Sequence, residues 1–357
     1  MSAWDLFLAQ LPQQLVNAVW LGSVYALFAL GYTLVFGVLD LLNLAHGSIF
    51  MWGAYFGLIC VTVFGLPIWV ALPVAMVGAG LLGILLERLA YKPLRQQTLG
   101  TRVLWAGFLV TMLGVMGLFE TAVDSLILIA GILVMVAGLW LDYKGYKPGP
   151  IRKSPHLASL ISTIGAGTIL VTLAQSTFGA QQSRFPADTF PTQVYTLGSV
   201  TITSLQIVVF VLSIALMAGL SFYVSRSKTG KAMRAVAYKQ STASLLGIYV
   251  DKIFVQTFFI SSALAGAAGV FFGLAFNVIT PFMGASVQLK GLTVIVLGGL
   301  GNIYGAVLGG FIVAGIEVFS VAAGQSDFRD AIVFSLLFIM LLVWPQGLLG
   351  SKADTRD

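Results

Sequence analysis

Residues 253–276 have the sequence IFVQTFFISSALAGAAGVFFGLAF, a stretch without a single charged residue. About 20 mostly apolar residues in a helix are enough to cross the roughly 30 Å hydrocarbon layer of a bilayer. The apolar residues follow one another and do not alternate with polar ones, which favours a helix over a strand of a membrane barrel. The stretch therefore predicts a transmembrane helix.

The same pattern extends along the whole chain. Charged residues are 9% and hydrophobic residues 58% of the 357 residues, whereas soluble domains average about 25% and 45–50%. Apolar stretches of this kind occur about ten times. They cover residues 14–36, 48–64, 68–89, 103–119, 125–141, 157–178, 202–224, 253–276, 292–323 and 331–344. We expect an all-α protein in which residues 1–357 form a single polytopic bundle of about ten transmembrane spans.

The basic residues predict how these spans are oriented. Lys and Arg cluster in three loops, at residues 92–102, 144–153 and 226–239. The positive-inside rule places all three loops in the cytoplasm, so the formal net charge of +6 reflects topology and not nucleic-acid binding. Counting spans backward puts the N-terminus outside, and we assign the C-terminus to the cytoplasm. The first apolar stretch lacks the basic start of a cleavable signal peptide, and we expect it to be retained.

The sequence gives no support for an enzyme active site. Gly230 and Lys231 are adjacent, but Ala232 follows where a phosphate-binding loop needs Ser or Thr. Residues 78–83 match G-x-G-x-x-G inside an apolar stretch with no preceding strand, which indicates a chance match. Cys60 is the only cysteine, so an intrachain disulfide is excluded. We expect no catalytic site, no metal site and no cofactor.

Residues 40–47, with the sequence DLLNLAHG, place Asp40, Asn43 and His46 between two apolar stretches. A charged residue at the centre of a membrane helix costs roughly 2.5–3.5 kcal/mol, so polar groups at this depth usually face protein or a wet cavity. One interpretation is a bent or broken helix beside such a cavity. The other is a short cytoplasmic turn in which Asn43 caps the next helix. These residues alone favour neither.

The third basic loop, residues 225–251, carries a short amphipathic pattern. The segment KAMRAVAYKQ begins at Lys231, and a helix starting there would stop near Gly247. Its apolar positions can share one side of that helix: Met233, Val236, Ala237 and Leu245. Such a helix can lie on anionic lipid or insert its apolar face into a groove of a soluble partner. Composition does not decide between the two.

Two charged residues, Lys290 and Glu317, lie within or beside apolar stretches. An acid inside a membrane is a functional hypothesis by default. A structural ion pair, or a position near the membrane surface, explains Glu317 equally well.

Glycine interrupts residues 292–323, which are too long for one upright helix. The interruption lies at Gly298, Gly299, Gly301 and Asn302. It predicts a broken or re-entrant segment followed by a full span. Gly301, Gly305 and Gly309 are spaced four apart, a pattern that favours close helix packing.

Motifs along most of the chain carry a resemblance to a known family. They are GYTLVFG at 31–37, NLAHG at 43–47 with GAY at 53–55, GKAMRAV at 230–236 with SLLGI at 244–248, SALAGAAG at 262–269, VLGGLGN at 296–302 with GAVLGG at 305–310, and RD at 329–330 with PQGLL at 345–349. Together, and in this order, they resemble the LivH-like branched-chain amino acid permeases, the membrane subunits of ATP-binding cassette importers for hydrophobic amino acids.

The resemblance implies a permease subunit in a bacterial cytoplasmic (inner) membrane. It implies that the chain translocates branched-chain or other neutral and hydrophobic amino acids, which an extracytoplasmic solute-binding protein delivers. The implied partners are a second, related permease in a heterodimer and two cytoplasmic ATPase subunits that hydrolyse the ATP. The chain itself is then not an enzyme and binds no nucleic acid.

The resemblance also implies two groups of site residues. Coupling to the ATPase is assigned to Gly230, Lys231, Arg234, Ala235, Val236, Leu246 and Gly247. The translocation path is assigned to Asn43, His46, Gly47, Gly298, Gly299, Gly301 and Glu317.

Two features depart from the family's pattern. Family members commonly have an acid soon after Arg-Ala-Val, where this chain has Tyr238, Lys239 and Gln240. Residues 97–149 look like an added transmembrane hairpin, which we expect to pack peripherally and outside the path. Two alternative functions stay open: a permease for urea or short amides, and a self-sufficient channel or ion-coupled carrier, the latter motivated by Glu317 and the glycine-rich break.

Overall fold

Helices dominate the computed structural model, which describes residues 3–95, 99–115, 121–144 and 156–350. The helices are α1 Ala3–Leu39, α2 His46–Thr62, α3 Ile68–Leu86, α4 Lys92–Arg95, α5 Leu99–Val115, α6 Thr121–Lys144, α7 His156–Phe178, α8 Ser204–Arg226, α9 Lys228–Tyr238, α10 Gln240–Leu245, α11 Val250–Phe276, α12 Met283–Gly298, α13 Ile303–Ala322 and α14 Arg329–Val343. A π-helical turn, Glu87–Tyr91, follows α3, and a 3-10 turn, Ser326–Phe328, precedes α14. Strands β1 Val194–Leu197 and β2 Val200–Thr203 form an antiparallel hairpin in which Val194 pairs with Thr203.

The predicted all-α membrane fold is confirmed. Within the described residues, 7 helices are long and apolar enough to cross a membrane: Gln10–Leu39, Ile68–Arg95, Asp124–Leu141, Leu157–Phe178, Ser204–Arg226, Val250–Phe276 and Ile303–Ala322. Three shorter apolar helices accompany them: His46–Thr62, Gly100–Gly114 and Met283–Gly298. The count of about ten predicted spans agrees roughly with this set.

The chain divides into two compact units, one of residues 1–83 with 164–357 and one of residues 84–163. In the first unit, small residues let helix backbones meet. A Cβ on Gly53 would collide with the backbone of Gly266, and one on Gly269 would collide with the carbonyl of Phe50, so α2 and α11 pack at backbone contact. In a membrane, lipid is as apolar as the helices, so the hydrophobic effect does not drive them together. Small residues let the helices approach closely and associate through packing.

The predicted break in residues 292–323 is confirmed. α12 ends at Gly298 and α13 begins at Ile303, so the two helices are joined by a short turn. Gly305 and Gly309 pack against the backbone of α12, as the spacing predicted, while Gly301 lies in the turn beside Gly37.

The second unit contains α5 and α6, which lie within the predicted hairpin of residues 97–149. α5 and α6 pack against each other through glycines: Gly107 and Gly114 face the backbone of α6, and Gly131 and Gly138 face the backbone of α5. Residues 97–98, 116–120 and 145–149 of the predicted hairpin lie outside the described residues. Its peripheral position stays a prediction.

Candidate coupling surface and translocation path

The loop between α8 and α11 folds into two short helices, which we call the elbow (residues 227–249). Ser227 has an extended backbone, and its hydroxyl accepts a hydrogen bond from the Gly230 N–H at 2.8 Å, which caps α9. A Cβ on Gly230 would collide with the carbonyl oxygens of Tyr223 and Val224. Gly230 is therefore required because the chain turns sharply against the end of α8.

Arg234 fixes α9 to α8. Its guanidinium donates hydrogen bonds to the carbonyl of Val224 and, at 3.4 Å, to that of Ser225. The last carbonyls of a helix lack partners within the helix and carry its negative dipole end, so a cation there satisfies both needs. The Arg234 charge is thus used within the chain, whereas Lys231 is exposed.

The apolar side of α9 packs on the first unit itself. Met233 and Val236 are each 1% exposed, Ala235 is half-buried, and α9 contacts α1, α8 and α11. The prediction that Leu245 shares this side is wrong, because Leu245 is 88% exposed. The cause is Lys239, whose extended backbone (φ −158°, ψ 106°) ends α9 and starts α10 in another direction.

Four large apolar side chains stand out from the elbow, and we call them the apolar tip. They are Tyr238, Leu245, Leu246 and Tyr249, with exposures of 80%, 88%, 76% and 53%. Gly247 holds a left-handed backbone (φ 82°), and its N–H bonds the Ser244 carbonyl at 3.0 Å, which ends α10 and turns the chain toward α11. Large exposed apolar side chains that are grouped in one short segment indicate an interaction surface. Sequence reasoning found Leu246 and Gly247 but missed Tyr238, Leu245 and Tyr249 as members.

Asn43, His46 and Gly47 come together at the start of α2 with two residues that sequence reasoning missed, Tyr32 and Gln288. The Gln288 amide accepts from the Gly47 N–H at 2.5 Å and donates to the Tyr32 hydroxyl at 2.9 Å. The His46 ring stacks on Tyr32 with centroids 5.3 Å apart. All five residues are buried, so the cluster is closed to the outside of the chain.

The polar cluster lies beside α1, on the N-terminal side of its last turns, because the chain turns back along α1 after this helix ends. Asp40 takes a left-handed backbone (φ 56°), residues 41–45 are not helical, and α2 begins beside α1 with His46 Nε2 3.3 Å from the Phe28 carbonyl. Asn43 Oδ1 accepts from the Ala45 N–H at 3.1 Å. Asn43 therefore shapes a turn in which Asn43 and Ala45 are buried. The prediction that Asn43 caps α2 is wrong, because the N-cap is Ala45 and no side chain caps the helix.

The first turns of α2 and α12 meet inside the first unit. A Cβ on Gly47 would collide with the carbonyl of Gly284, and a Cβ on Gly284 would collide with that of Gly47. A signal for Gln288 existed in the sequence, since it is an amide in an apolar region, but nothing local indicates its partner 241 positions away.

The predicted path residues Gly298, Gly299 and Gly301 lie elsewhere. Gly299 and Gly301 have φ of 104° and 80°, and the Gly298 carbonyl accepts from the Leu349 N–H at 3.1 Å. Asn302 caps α13 and donates from Nδ2 to the Leu349 carbonyl at 2.7 Å. Gly298 is about 15 Å along α12 from the polar cluster at 1.5 Å per residue. These residues form a packed joint with the C-terminal segment.

Glu317 is held in an ion cluster of four charged residues. Its Oε1 lies 2.7 Å from Lys290 Nζ, and its Oε2 accepts from the Tyr25 hydroxyl at 2.8 Å. Asp330 lies 3.2 Å from Lys290 Nζ, and Arg329 Nε lies 3.8 Å from Glu317. Lys290 and Glu317 are each 6% exposed. The structural ion pair is the interpretation that this geometry supports, and it ties α1, α12, α13 and α14 together.

Comparison with known proteins shows the family of this chain. Residues 14–343 match the family described as branched-chain amino acid transport system, permease component. The chain belongs to this family. The resemblance seen in the sequence is confirmed. The chain is thus an amino-acid transport permease of the ATP-binding cassette class, with many membrane helices.

Curated relatives cover nearly the full chain. The permease is 32% identical over 343 residues to the high-affinity branched-chain amino acid transport system permease protein LivH of Escherichia coli (strain K12), covering 95% of each chain. It is 31% identical over 341 residues to the corresponding protein BraD of Pseudomonas aeruginosa, again covering 95% of each. A solved structure, PsaBC from Streptococcus pneumoniae in complex with Fab, matches with a TM-score of 0.42 and 12% identity over 95% of this chain and 96% of that one. That structural likeness is too distant to carry weight.

Proposed function

We propose that this permease is the membrane-spanning subunit of an ATP-driven importer in a bacterial cytoplasmic membrane. It moves branched-chain or other neutral, hydrophobic amino acids that a solute-binding protein delivers. A second, related permease and two cytoplasmic ATPase subunits complete the complex. The substrate class is supported by the names of the relatives, which are branched-chain amino acid transport permeases.

The observation that carries the proposal is the apolar tip on an anchored elbow. The tip exposes four large apolar side chains, while Arg234 and the buried Met233 and Val236 fix α9 to the bundle. A surface that binds a partner and is rigidly attached to membrane helices can transmit the partner's movement. The tip is therefore the proposed ATPase contact, with Leu246 and Gly247 in it and with Gly230, Arg234, Ala235 and Val236 as its support.

The elbow connects to the polar cluster through α1 and α11. α9 contacts both helices, and the Ser261 hydroxyl on α11 donates to the Gly31 carbonyl on α1 at 2.7 Å. Gly31 precedes Tyr32, which holds His46 and Gln288. We assign the closed constriction of the path to this cluster, between α1, α2 and α12. We assign the choice of substrate to the solute-binding protein.

The rival proposal, an ion-coupled carrier, loses its main support. A carboxylate that binds a coupling ion must offer its oxygens to that ion, whereas both Glu317 oxygens contact Lys290 or Tyr25. The Glu317 assignment to the path is best replaced by a role in helix attachment.

The test is leucine uptake into liposomes that contain the complex or this chain alone. We expect ATP-dependent uptake by the complex only; flux through the chain alone would overturn the proposal. In the complex, Leu245→Asp should remove ATPase subunits in a pull-down, because it places a charge in the tip contact. The matched control is Leu197→Asp, which alters an equally solvated leucine, 81% exposed, on the β-hairpin. Equal ATPase recovery with both variants would contradict the assignment of the tip.

A further inference from the structure

A groove runs along the outside of α5 in the second unit. It has a volume of about 420 Å³ and is lined by Pro93, Thr101, Arg102, Trp105, Ala106 and Leu109. Ligand sites typically measure about 300–1,000 Å³. The lining residues of α5 recur at three- and four-residue steps, so they form one face of the helix. The groove is therefore lined mostly by apolar side chains, and Arg102 is the charged residue among the lining residues.

Arg102 is the unpaired charge of this groove. It is exposed, and it forms no hydrogen bond or ion pair within the part of the chain that the structure describes. Arg95 of the same unit, by contrast, is buried and paired with Glu87. An exposed guanidinium beside an apolar surface matches an anion that carries apolar groups of its own.

Two tryptophans indicate how deep the groove lies. Gly138 of α6 packs against Leu104 of α5. Because the two helices are antiparallel, Trp140 lies about level with Arg102, and Trp105 lies about 4.5 Å further along α5; both tryptophans are exposed. Tryptophan is enriched at the membrane–water interface. Arg102 then lies at the headgroup level, and Leu109 lies about 10 Å further along α5 at 1.5 Å per residue, in the acyl region. The basic loop before α5 predicts that this is the cytoplasmic leaflet.

We propose that the groove binds an anionic phospholipid of the cytoplasmic leaflet. Arg102 takes the phosphate, because the planar guanidinium matches phosphate oxygens with paired donors. Trp105, Ala106 and Leu109 take one acyl chain. A zwitterionic lipid gains the apolar contacts but carries a cation that opposes Arg102, so the site selects net negative headgroups. This inference does not depend on the importer function.

Native mass spectrometry of the full chain in detergent tests the proposal, with palmitoyl-oleoyl phosphatidylglycerol and the corresponding phosphatidylcholine as probes. We expect phosphatidylglycerol to be retained in preference. Arg102→Gln should weaken its binding by about fivefold, the factor expected for one basic residue near an anionic lipid. Ala106→Phe should weaken it as well, because the ring fills the groove without changing charge. Both residues are exposed, so neither substitution threatens the fold.

The matched control is Arg226→Gln, which removes an equally exposed arginine on the same predicted side of the membrane. We expect this variant to bind phosphatidylglycerol as the unaltered chain does. An equal loss with Arg226→Gln and Arg102→Gln would show that only overall charge matters and would overturn the site. Undiminished binding to the Ala106→Phe variant would also overturn it.

Discussion

Glu317→Leu removes the central carboxylate of the ion cluster. It leaves Lys290, 6% exposed, with Asp330 at 3.2 Å and the Tyr25 hydroxyl at 3.5 Å. Removing one partner of a buried ion pair costs roughly 3–5 kcal/mol, because the other charge stays buried. Since Asp330 remains close to Lys290, we expect the lower end, about 3 kcal/mol. Lys290→Met should cost at least as much, because Arg329 is then the nearest cation to Glu317, at 3.8 Å.

The double variant Lys290→Met/Glu317→Leu should be more stable than either single variant. Both buried charges are gone, and Arg329 and Asp330 still face each other at 3.7 Å. The remaining cost is the buried Tyr25 hydroxyl without its acceptor, about 1–3 kcal/mol. The coupling free energy between Lys290 and Glu317 should therefore be at least about 3 kcal/mol, at the top of the range for residues in one network.

A charge reversal separates a cluster from an isolated pair. Lys290→Glu/Glu317→Lys would restore an isolated pair, but here it places a carboxylate beside Asp330 and a cation beside Arg329. We expect this variant to be less stable than the apolar double variant. Equilibrium unfolding in mixed micelles, followed by circular dichroism, gives the free energy of unfolding of the unaltered chain and of each variant. A double variant that loses the sum of the two single losses, or a reversal that restores stability, would refute the cluster.

Three further substitutions test other contacts. Gly269→Ala should destabilise the protein by about 1–3 kcal/mol, because the added methyl group overpacks a backbone contact. The control is Gly315→Ala, where a Cβ would have nothing within 4 Å; it should be neutral or slightly stabilising in the same unfolding assay. Arg234→Gln should free α9 from α8 and speed proteolysis of the elbow, with the exposed Lys231→Gln as the control; equal cleavage rates would contradict the anchoring role. Gln288→Leu should cost about 1–3 kcal/mol by leaving the Gly47 N–H and the Tyr32 hydroxyl buried without partners, and an unchanged unfolding midpoint would show that the cluster is hydrated.

Local sequence patterns predicted the helices well, because lipid imposes a simple rule on them. A span must be apolar over its whole length and must satisfy its own backbone, so residues 253–276 became α11 Val250–Phe276 almost unchanged. The break after Gly298 was predictable for a similar reason. Glycine takes the positive φ that the turn requires at Gly299 and Gly301.

What local patterns could not give is the pairing of distant residues and the path of an irregular backbone. Lys239 ends α9 without glycine or proline nearby, so helical periodicity placed Leu245 on the wrong side. Tyr32, which stacks on His46, and Gln288 form a hydrogen bond although they are 256 positions apart in the sequence. No spacing within either stretch encodes that contact, and only the packing of α1, α2 and α12 creates it.

The contact between Gly47 and Gly284 determines how fast the two helices can part. Neither residue has a side chain that could rotate away, so an opening between α2 and α12 must displace two peptide planes. Rotamer changes take picoseconds to nanoseconds, whereas collective helix displacements take microseconds to milliseconds. Any event that separates α2 from α12 should therefore take microseconds to milliseconds.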